Sequence, residues 1–551
     1  MRTNILLFAG ILLLFGMGRA GAQTHVVTNP LPGFPVLYAR LLALPRATAV
    51  FRASGLEATV LELLGKPETP RAGQAADWSG AIDQLHALHI GLYVGTSSSS
   101  PETIQAILVA ELSRTVDLLK WLPAAVAQNL VKELIDDATT LYRLEYEVRG
   151  LPQGRLWFAT MRERVIMSTC PTLAKKTVDR LRENDIPSLA RDTRFQTVTR
   201  NWKEHDVQVF LSCAEVLRLY SSRLEERKRI AFLAAVDAWS IDDISYLCGG
   251  WDYDDSKMDL RAAMNEQSLA YLLLAQPATE KKIPAFLPRN TFVCFAHSIR
   301  DGRELWKRLS AFCENLLVRT GSMKDAGEYR EFIDRAEQEV GVRFDDLAAL
   351  AVEEGGVFLT WEPEGDCTSN ECEFSLFNFL KDATRGQELF RKVVSAVWGE
   401  EERTQDVCGV VLHTPVDGWA GGMTWGIIDN CLLHGVPQEV VKQGVLARKS
   451  GRSLGEQKAF QEIVRRLHPK NAYWAYADLG ILYEGCVKSR SSERTPMRGL
   501  VQGLVAAASV TVENGVFDAR VVWNKNVTLG DIFGLVRKVL EDTQSRRPVA
   551  R

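Results

Sequence analysis

The sequence repeats itself, and the repeat spans most of the chain. Residues 44–50 (Leu-Pro-Arg-Ala-Thr-Ala-Val) return as residues 287–293 (Leu-Pro-Arg-Asn-Thr-Phe-Val). Further on, a second set returns with the same internal spacing: Ser188, Leu189, Phe195, Gln196 and Leu217 as Ser453, Leu454, Phe460, Gln461 and Leu482. Near the ends, Asp259 and Arg261 line up with Asp518 and Arg520. Self-similarity of this extent predicts two copies of one structural unit.

The repeat also predicts where the chain divides. We expect a first module over residues 23–275 and a second over residues 287–540, followed by a polar C-terminal tail over residues 541–551. The polar, proline-bearing stretch 276–286 is typical of a linker. Each module closes on a predicted hairpin, and the turn of the second contains Asn514-Gly515, a strong hairpin signal.

Strands and helices are mixed in each module without a strict alternation of the two. In the second module we expect strands at residues 291–297, 356–361, 372–377, 423–425, 431–434 and 472–477. Their counterparts are 48–53, 90–94, 107–112, 157–159, 165–168 and 207–212, and helices such as 115–135 and 386–398 lie between them. Short links between strands are typical of antiparallel pairing. We therefore predict an α+β fold of two tandem homologous domains, each a largely antiparallel sheet with helices packed on one face.

The first 22 residues have the pattern of an export signal. Arg2 gives a weakly positive start, residues 5–15 are apolar, and residues 20–22 (Ala-Gly-Ala) form a small-residue cleavage site. The apolar stretch is short for a transmembrane helix, and no later segment reaches that length without charges. We expect an exported protein, whether periplasmic, on the cell surface or secreted, with no transmembrane segment after cleavage.

Charge and cysteine use narrow the functional class. A formal charge of −3 disfavours a nucleic-acid partner, because such proteins carry a basic stripe that neutralises phosphates. Most of the 10 cysteines lie alone in apolar runs, as small buried side chains do. Cys367 and Cys372 instead flank a polar loop, so a disulfide is one interpretation and two free thiols is the other. Zinc is disfavoured because no second ligand pair lies nearby.

Three motifs of the second module recur outside this chain. They are Leu287-Pro288-Arg289-Asn290-Thr291, the stretch 344–350 ahead of Glu354-Gly355-Gly356, and Ser453-Leu454 with Phe460. In these motifs the chain resembles a family of exported bacterial proteins described only as a domain of unknown function. The motifs are short and mostly structural. The resemblance implies an exported α+β protein, and it supplies no catalytic residues.

Candidate metal sites are poorly supported. His86 and His89 have the i, i+3 spacing of one helix face, but a metal site needs three or four converging ligands and the second module has no such pair. The acidic run 252–259 lacks the glycine and the distal glutamate of an EF-hand, and its counterpart centres on a hairpin turn. We expect no metal and no cofactor.

No catalytic set recurs between the modules. The chain has no Gly-x-Ser-x-Gly elbow and no His-Glu-x-x-His motif, and the histidines of the second module have no histidine counterparts. A duplicated histidine-based site is therefore excluded, and we expect no catalytic residues. A site present only once, drawing on Asp429, His434 and Glu439, remains the alternative.

The run Tyr473-Trp474-Ala475-Tyr476 is the strongest candidate for ligand binding. Tyr473, Trp474 and Tyr476 could form a platform on which a sugar or peptide stacks. We favour core packing of these residues over the platform, since large aromatic side chains bury much area.

These observations favour a non-enzymatic exported protein that acts as a binding or envelope-associated scaffold. Its partner is an envelope protein or another ligand that the sequence does not identify. The alternative is an envelope hydrolase with a single site at the interface of the two modules.

Overall fold

The computed structural model of the protein describes residues 37–42, 85–97, 100–113, 130–136, 139–146, 154–183, 191–200, 202–203, 205–222, 224–238, 241, 244, 246–252, 255–361, 373–416, 423–481 and 502–524. The chain divides into two compact units. Of the described residues, those up to Leu219 and those within 245–258 form the first unit, and residues 220–244 and 259–524 form the second.

The first unit is built on an antiparallel sheet of nine described strands. They are β1 (Leu37–Leu41), β2 (Leu85–Ser97), β3 (Ser100–Leu112), β4 (Leu130–Asp136), β5 (Thr139–Tyr146), β6 (Gly154–Met161), β7 (Arg164–Ser168), β8 (Val207–Ser212) and β9 (Tyr246–Trp251). Their spatial order is β9-β8-β1-β2-β3-β7-β6-β5-β4, and all of these described neighbours pair antiparallel.

The second unit contains a sheet of the same kind. Its strands are β10 (Lys257–Ala263, in this unit from Asp259 on), β11 (Thr291–Ile299), β12 (Ala351–Thr360), β13 (Glu373–Leu380), β14 (Glu402–Val407), β15 (Val410–Pro415), β16 (Thr424–Ile428), β17 (Cys431–Val436), β18 (Tyr473–Asp478), β19 (Val505–Glu513) and β20 (Val516–Trp523). The order is β10-β20-β19-β18-β11-β12-β13-β17-β16-β15-β14. Strands β11–β19 thus follow the order of β1–β9.

Eleven α-helices lie within the part of the chain that the structure describes. They are α1 (Pro171–Glu183), α2 (Thr193–Thr199), α3 (Cys213–Ser221), α4 (Glu226–Ala238), α5 (Leu269–Leu274), α6 (Gly302–Arg319), α7 (Ala326–Val340), α8 (Phe344–Ala348), α9 (Ala383–Trp398), α10 (Gln438–Ser450) and α11 (Lys458–Val464). Two 3₁₀ turns, at Ile283–Ala285 and Leu454–Glu456, lie on the second unit.

Local sequence explains several element boundaries in the second unit. Asp301 and Asp382 cap the N-termini of α6 and α9, each accepting hydrogen bonds from backbone N–H groups of the first turn. At the β19–β20 turn, Asn514 and Gly515 have φ values of 50° and 73°, which is the left-handed geometry of a two-residue hairpin loop. The hairpin predicted from Asn-Gly is confirmed.

The predicted α+β class with a large antiparallel sheet is confirmed, but the helices of the second unit pack on both sheet faces rather than one. One face packs a core that includes Phe358, Phe377 and Trp474 against α10 and α11. The other face packs Trp425 and Leu432 against α9 and the end of α7. The two cores alternate along the same strands because neighbouring side chains of a strand point to opposite faces.

Two hairpins were missed by the sequence analysis. Residues 130–136 form strand β4, so the C-terminal part of the helix predicted over 115–135 is wrong, and the rest lies outside the described residues. The β4–β5 and β14–β15 hairpins were not predicted at all. The first copy of the Leu-Pro-Arg motif, residues 44–50, also lies outside the described residues. Strand β1 precedes the first copy, whereas β11 begins within the second copy, at Thr291.

The recurring phenylalanine makes the same contact in both units. Phe195 on α2 packs against Phe210 on β8, with 4.7 Å between ring centroids. Phe460 on α11 packs against Tyr476 on β18, with 5.3 Å between centroids. Each pair closes the core where the short helix crosses the strand.

We predict that Phe460→Ala lowers the free energy of unfolding of the second unit by about 3–5 kcal/mol, because a buried aromatic side chain is replaced by a cavity. Urea unfolding followed by tryptophan fluorescence measures the change. Phe332→Ala is the matched control, since Phe332 is 55% exposed and its truncation should change stability by less than about 0.5 kcal/mol. Equal effects of both substitutions would contradict the prediction.

Candidate functional site

The candidate site of the second unit contains a short segment that is hydrogen-bonded to the sheet. We call residues 279–286 the strap. Its first residue, Thr279, pairs with Asn471, which lies two residues ahead of β18. Thr279 N donates to Asn471 O at 3.0 Å, and Asn471 N donates to Thr279 O at 3.1 Å. The sequence analysis predicted a linker here, but the segment is bonded to residues far along the chain.

Lys281 anchors the strap through all three of its N–H donors. Nζ donates to Ser298 Oγ at 2.5 Å, to the carbonyl of Asn471 at 2.8 Å and to Thr279 Oγ1 at 3.4 Å. Ser298 Oγ also donates to the carbonyl of Asn471 at 3.1 Å. Ser298 is fully buried on β11, in line with Cys294 and Ala296 on the core-facing side. The ammonium therefore bridges the strap, β11 and the residue before β18.

Glu354 holds the other end of the strap. Its Oε2 accepts hydrogen bonds from the backbone N–H of Lys282 at 2.7 Å and of Ile283 at 3.3 Å. Its Oε1 has no hydrogen-bond partner among the described residues, and the side chain is 1% exposed. A carboxylate that accepts only two hydrogen bonds in this environment is costly to keep ionised.

Burial raises the pKa of Glu354 and lowers the pKa of Lys281, because it favours the uncharged form of each group. Loss of solvent raises the pKa of Glu354 to about 7, opposed by the two backbone N–H donors and the positive charge of Lys281. Loss of solvent likewise lowers the pKa of Lys281 to about 8, opposed by the negative charge of Glu354. Both groups therefore titrate within the physiological range, which is common in functional sites.

The strap forms one wall of a cleft of about 910 Å³, within the range of small-molecule sites. Phe286 of the strap and Phe379 of β13 meet edge to face, with 5.5 Å between ring centroids. The remaining wall comes from the turn after β16 and from the 3₁₀ turn at Leu454–Glu456. Aromatic side chains and backbone turns thus enclose the space.

Cations cover the two aromatic rings of the cleft. Arg448 lies 5.2 Å from the centroid of Phe286, and Lys282 lies 5.8 Å from that of Phe379. Each is also paired with an acid: Arg448 Nε with Asp429 at 2.7 Å, and Lys282 Nζ with Glu353 at 2.6 Å. The side chains of both ion pairs are exposed to solvent.

Of the two interpretations of Tyr473, Trp474 and Tyr476, the structure has core packing for Trp474 and Tyr476, and the three rings do not form one platform. Trp474 is 2% exposed and packs with Tyr476 and Phe460 in the core. Tyr473 points to the other face of β18, where it stacks on Phe295, and its hydroxyl donates to the carbonyl of Leu274 at 2.6 Å. Strand alternation separates the residues that the sequence placed side by side.

Other candidates of the sequence analysis have structural roles or lie outside the described residues. Cys367 and Cys372 belong to the second group. His86 and His89 lie on strand β2 rather than on a helix, and an i, i+3 spacing on a strand puts them on opposite faces. Asp252 binds Lys203 at 2.8 Å and the backbone N–H of Asp206 at 3.1 Å, as a structural acceptor does.

The single-copy set proposed for a hydrolase does not converge. Asp429 pairs with Arg448, and Glu439 pairs with Lys442 at 3.2 Å. His434 packs on Phe390, and its burial lowers its pKa to about 4. No cluster of three potential metal ligands occurs within the described parts of the chain.

A second buried polar cluster lies in the first unit, and the sequence analysis missed its connections. Tyr38 Oη lies 2.7 Å from His89 Nδ1, and His89 Nε2 lies 3.5 Å from Glu111 Oε2. Glu111 Oε1 accepts from Arg164 Nε at 3.0 Å. The pKa of Glu111 falls to about 2, since the contacts with His89 and Arg164 outweigh its burial.

The missed residues share one signal that the sequence does contain. Ser298 and Glu354 are polar residues at core-facing positions of otherwise apolar strands, and His89 holds such a position on β2. A buried polar group requires a bonding partner, so a polar residue in the buried register of a strand marks a candidate site.

Comparisons with known proteins identify no family. No protein-family model and no curated protein matches this chain. The chain is similar to crystal form III of TP0453, with a TM-score of 0.24 and 11% identity over 43% of this chain and 80% of that one. Crystal form IV of TP0453 gives a TM-score of 0.24 and 10% identity over 42% and 78%. A likeness of this size carries no argument about activity.

Among the described helices, none has the length and apolar character needed to cross a membrane.

We predict that the second unit loses stability as the pH rises from about 4.5 to about 7. The folded state raises the pKa of Glu354, so its favourable contribution is complete below the unfolded value of 4.5 and is lost as the pH passes the folded value. The loss is on the order of 3 kcal/mol. Hydrogen exchange of peptides from β11 and β12, measured across this range, reports it.

Glu354→Gln should flatten this pH dependence, because an amide keeps the shape and an acceptor oxygen without the charge. Glu353→Gln is the matched control, since Glu353 lies next to it on β12 but is exposed. If Glu354→Gln left the pH profile of exchange unchanged, the assignment of this dependence to Glu354 would fail.

Proposed function

We propose that the protein is an exported, non-enzymatic binding protein of two repeated modules, and that the cleft beside the strap binds a small anionic ligand with an apolar part. The observation that carries the proposal is the pair of cations held over aromatic rings at an open cleft. The arrangement places positive charge at a cleft that Phe286 and Phe379 help to line, which suits recognition of an anion with an apolar part.

The charge of the cleft supports an anionic ligand. Four basic side chains line it, against three acidic ones: Lys281, Lys282, Lys381 and Arg448 against Glu353, Asp429 and Glu456. Two of the acids are held in ion pairs with Lys282 and Arg448. Lys381 is exposed at the end of β13 and is available for a ligand carboxylate or phosphate.

Three features support the repeat as the basis of the architecture. Strands β11–β19 follow the spatial order of β1–β9. The recurring pair Phe195 and Phe460 makes equivalent aromatic contacts on β8 and β18. The helix after β7 and the helix after β17 both begin next to a proline, at Pro171 and Pro437. The export expectation rests on residues 1–22 and on the family resemblance.

A hydrolase is the second candidate function, and the contact between Lys281 and Ser298 favours it. A lysine with a lowered pKa, hydrogen-bonded to a serine hydroxyl, is one known arrangement for activating that serine as a nucleophile. The burial of Ser298 argues against it, because a substrate carbonyl must reach the hydroxyl. This candidate differs from the interface site expected from the sequence, since both residues lie within the second unit.

A fluorophosphonate probe separates the two functions. Attack by a serine oxygen forms an O–P bond and releases fluoride, so the adduct is detected by mass spectrometry of the intact chain. We predict no adduct on Ser298, because its hydroxyl is closed off from solvent. An adduct on the parent chain that is absent from Ser298→Ala would establish the hydrolase instead.

The binding proposal is tested with an anionic apolar dye, 8-anilinonaphthalene-1-sulfonate, titrated into the full chain. Loss of one charge-assisted contact weakens binding by about tenfold. We therefore predict that Arg448→Gln and Lys381→Gln each raise the dissociation constant of the dye by about that factor.

Two controls locate the dye. Lys392→Gln removes an exposed lysine on α9, away from the cleft, and should leave the dissociation constant unchanged. Phe295→Ser removes an exposed apolar side chain on the sheet face and should reduce only non-saturable fluorescence. Unchanged dye affinity in both cleft variants would refute binding at this cleft.

A further inference from the structure

Two ion pairs join strands β10 and β20 of the second unit in a reciprocal pattern. Arg261 Nη2 donates to Asp518 Oδ2 at 2.7 Å, and its Nε donates to the same oxygen at 3.0 Å. Arg520 Nε donates to Asp259 Oδ1 at 2.9 Å. Each strand therefore contributes one aspartate and one arginine, in the order Asp-x-Arg, and each charge meets its opposite on the other strand.

The two ion pairs lie symmetrically about one pair of opposing residues on β10 and β20. Since Asp259 faces Arg520 and Arg261 faces Asp518, Leu260 lies opposite Ala519 in an antiparallel ladder. The same register continues to the backbone hydrogen bond from Met264 N to Gly515 O, at 2.8 Å. The contact is not an isolated crossing of side chains, because main chain and side chains follow one alignment.

The four charged residues are counterparts of one another in the sequence repeat. Asp259 and Arg261 align with Asp518 and Arg520, so the contact between Asp259 and Arg520 is the counterpart of the contact between Asp518 and Arg261. A contact in which residue i meets j while j meets i is the signature of a two-fold, self-complementary interface. Duplication of one strand with this property yields such a contact within a single chain.

We infer that the edge of strand β20 is a self-complementary docking edge whose fitting partner is a second copy of an Asp-x-Arg strand. In the parent chain that copy is β10, and it covers the edge. The inference rests on the repeat in the proposed function, but it does not depend on ligand binding at the cleft.

Because β10 belongs to the same chain as β20, it pairs with β20 more readily than a strand of another molecule does. A tethered partner acts at an effective concentration of the order of millimolar, far above that of a second chain in dilute solution. An uncovered edge strand otherwise presents unpaired backbone groups to other chains. Weakening β10 alone should therefore release β20 to pair with β20 of a second chain.

The test reverses the charges of β10 in the full chain. The double variant Asp259→Arg with Arg261→Asp places like charges opposite each other across the β10–β20 ladder and leaves β20 unchanged. We expect its molar mass, measured by light scattering during size-exclusion chromatography, to double relative to the parent chain as concentration rises. Adding Asp518→Arg and Arg520→Asp restores both attractions and should return the mass to the parent value.

A matched control and a milder variant make every outcome decisive. Arg303→Asp breaks the ion pair with Asp346 elsewhere in the second unit and should leave the mass unchanged. If the charge-reversed variant does not fold, Asp259→Asn with Arg261→Gln removes the attraction without adding repulsion and is judged by the same criterion. A folded β10 variant that keeps the parent mass at all concentrations would overturn the inference. Dye binding at the cleft is a separate measurement, so failure of one proposal is distinguishable from failure of the other.

Discussion

The site of the second unit depends on two charged groups, the half-buried ammonium of Lys281 and the buried carboxylate of Glu354. The Lys281 ammonium uses its three donors on Thr279, Ser298 and Asn471, and the Glu354 carboxylate accepts from the strap backbone. Together they fix a segment that has no regular secondary structure of its own beyond one 3₁₀ turn. Because the strap is one wall of the cleft, the width of the cleft follows from these contacts.

Burial in the same site explains why the pKa of Glu354 rises and the pKa of Lys281 falls. Each group lies close enough to stabilise the other electrostatically, but burial penalises both charges, and for each the loss of solvent is the larger effect. The stability of the strap contacts therefore depends on pH. A cleft wall of this kind couples the local stability of the site to pH without any contact between Glu354 and a ligand.

The sequence predicted the parts of the fold that bury regular apolar faces. The strands around Cys294, Phe358 and Leu433 were predicted because their apolar residues recur in the periods of buried strands. Strand β14 was missed because its residues are polar and mostly exposed, as expected for an edge strand with one neighbour. Strand β4 was assigned to a helix because the apolar residues of 130–136 also fit a helical spacing.

The strap was missed for a different reason. Residues 276–282 have the polar composition of a linker, and composition does not reveal that Lys281 reaches Asn471, a residue far along the chain. Long-range partners of polar groups are set by the completed sheet. The period of apolar residues is a local property, so strands could be predicted from it. The partners of buried charged groups depend instead on which strands become neighbours in the sheet.

The two units hold different residues at positions that match in strand order and register. Tyr38 on β1 faces Phe210 on β8, and Cys294 on β11 faces Tyr476 on β18, so Tyr38 and Cys294 occupy matching positions. Tyr38 is hydrogen-bonded to His89, whereas the second unit fills its corresponding position with a small apolar side chain. The sheet accepts either solution, so the polar cluster of the first unit is not a requirement of the fold. The two units therefore differ in their buried polar groups although their strands follow the same order, and the strap contacts of the second unit are a further difference of this kind.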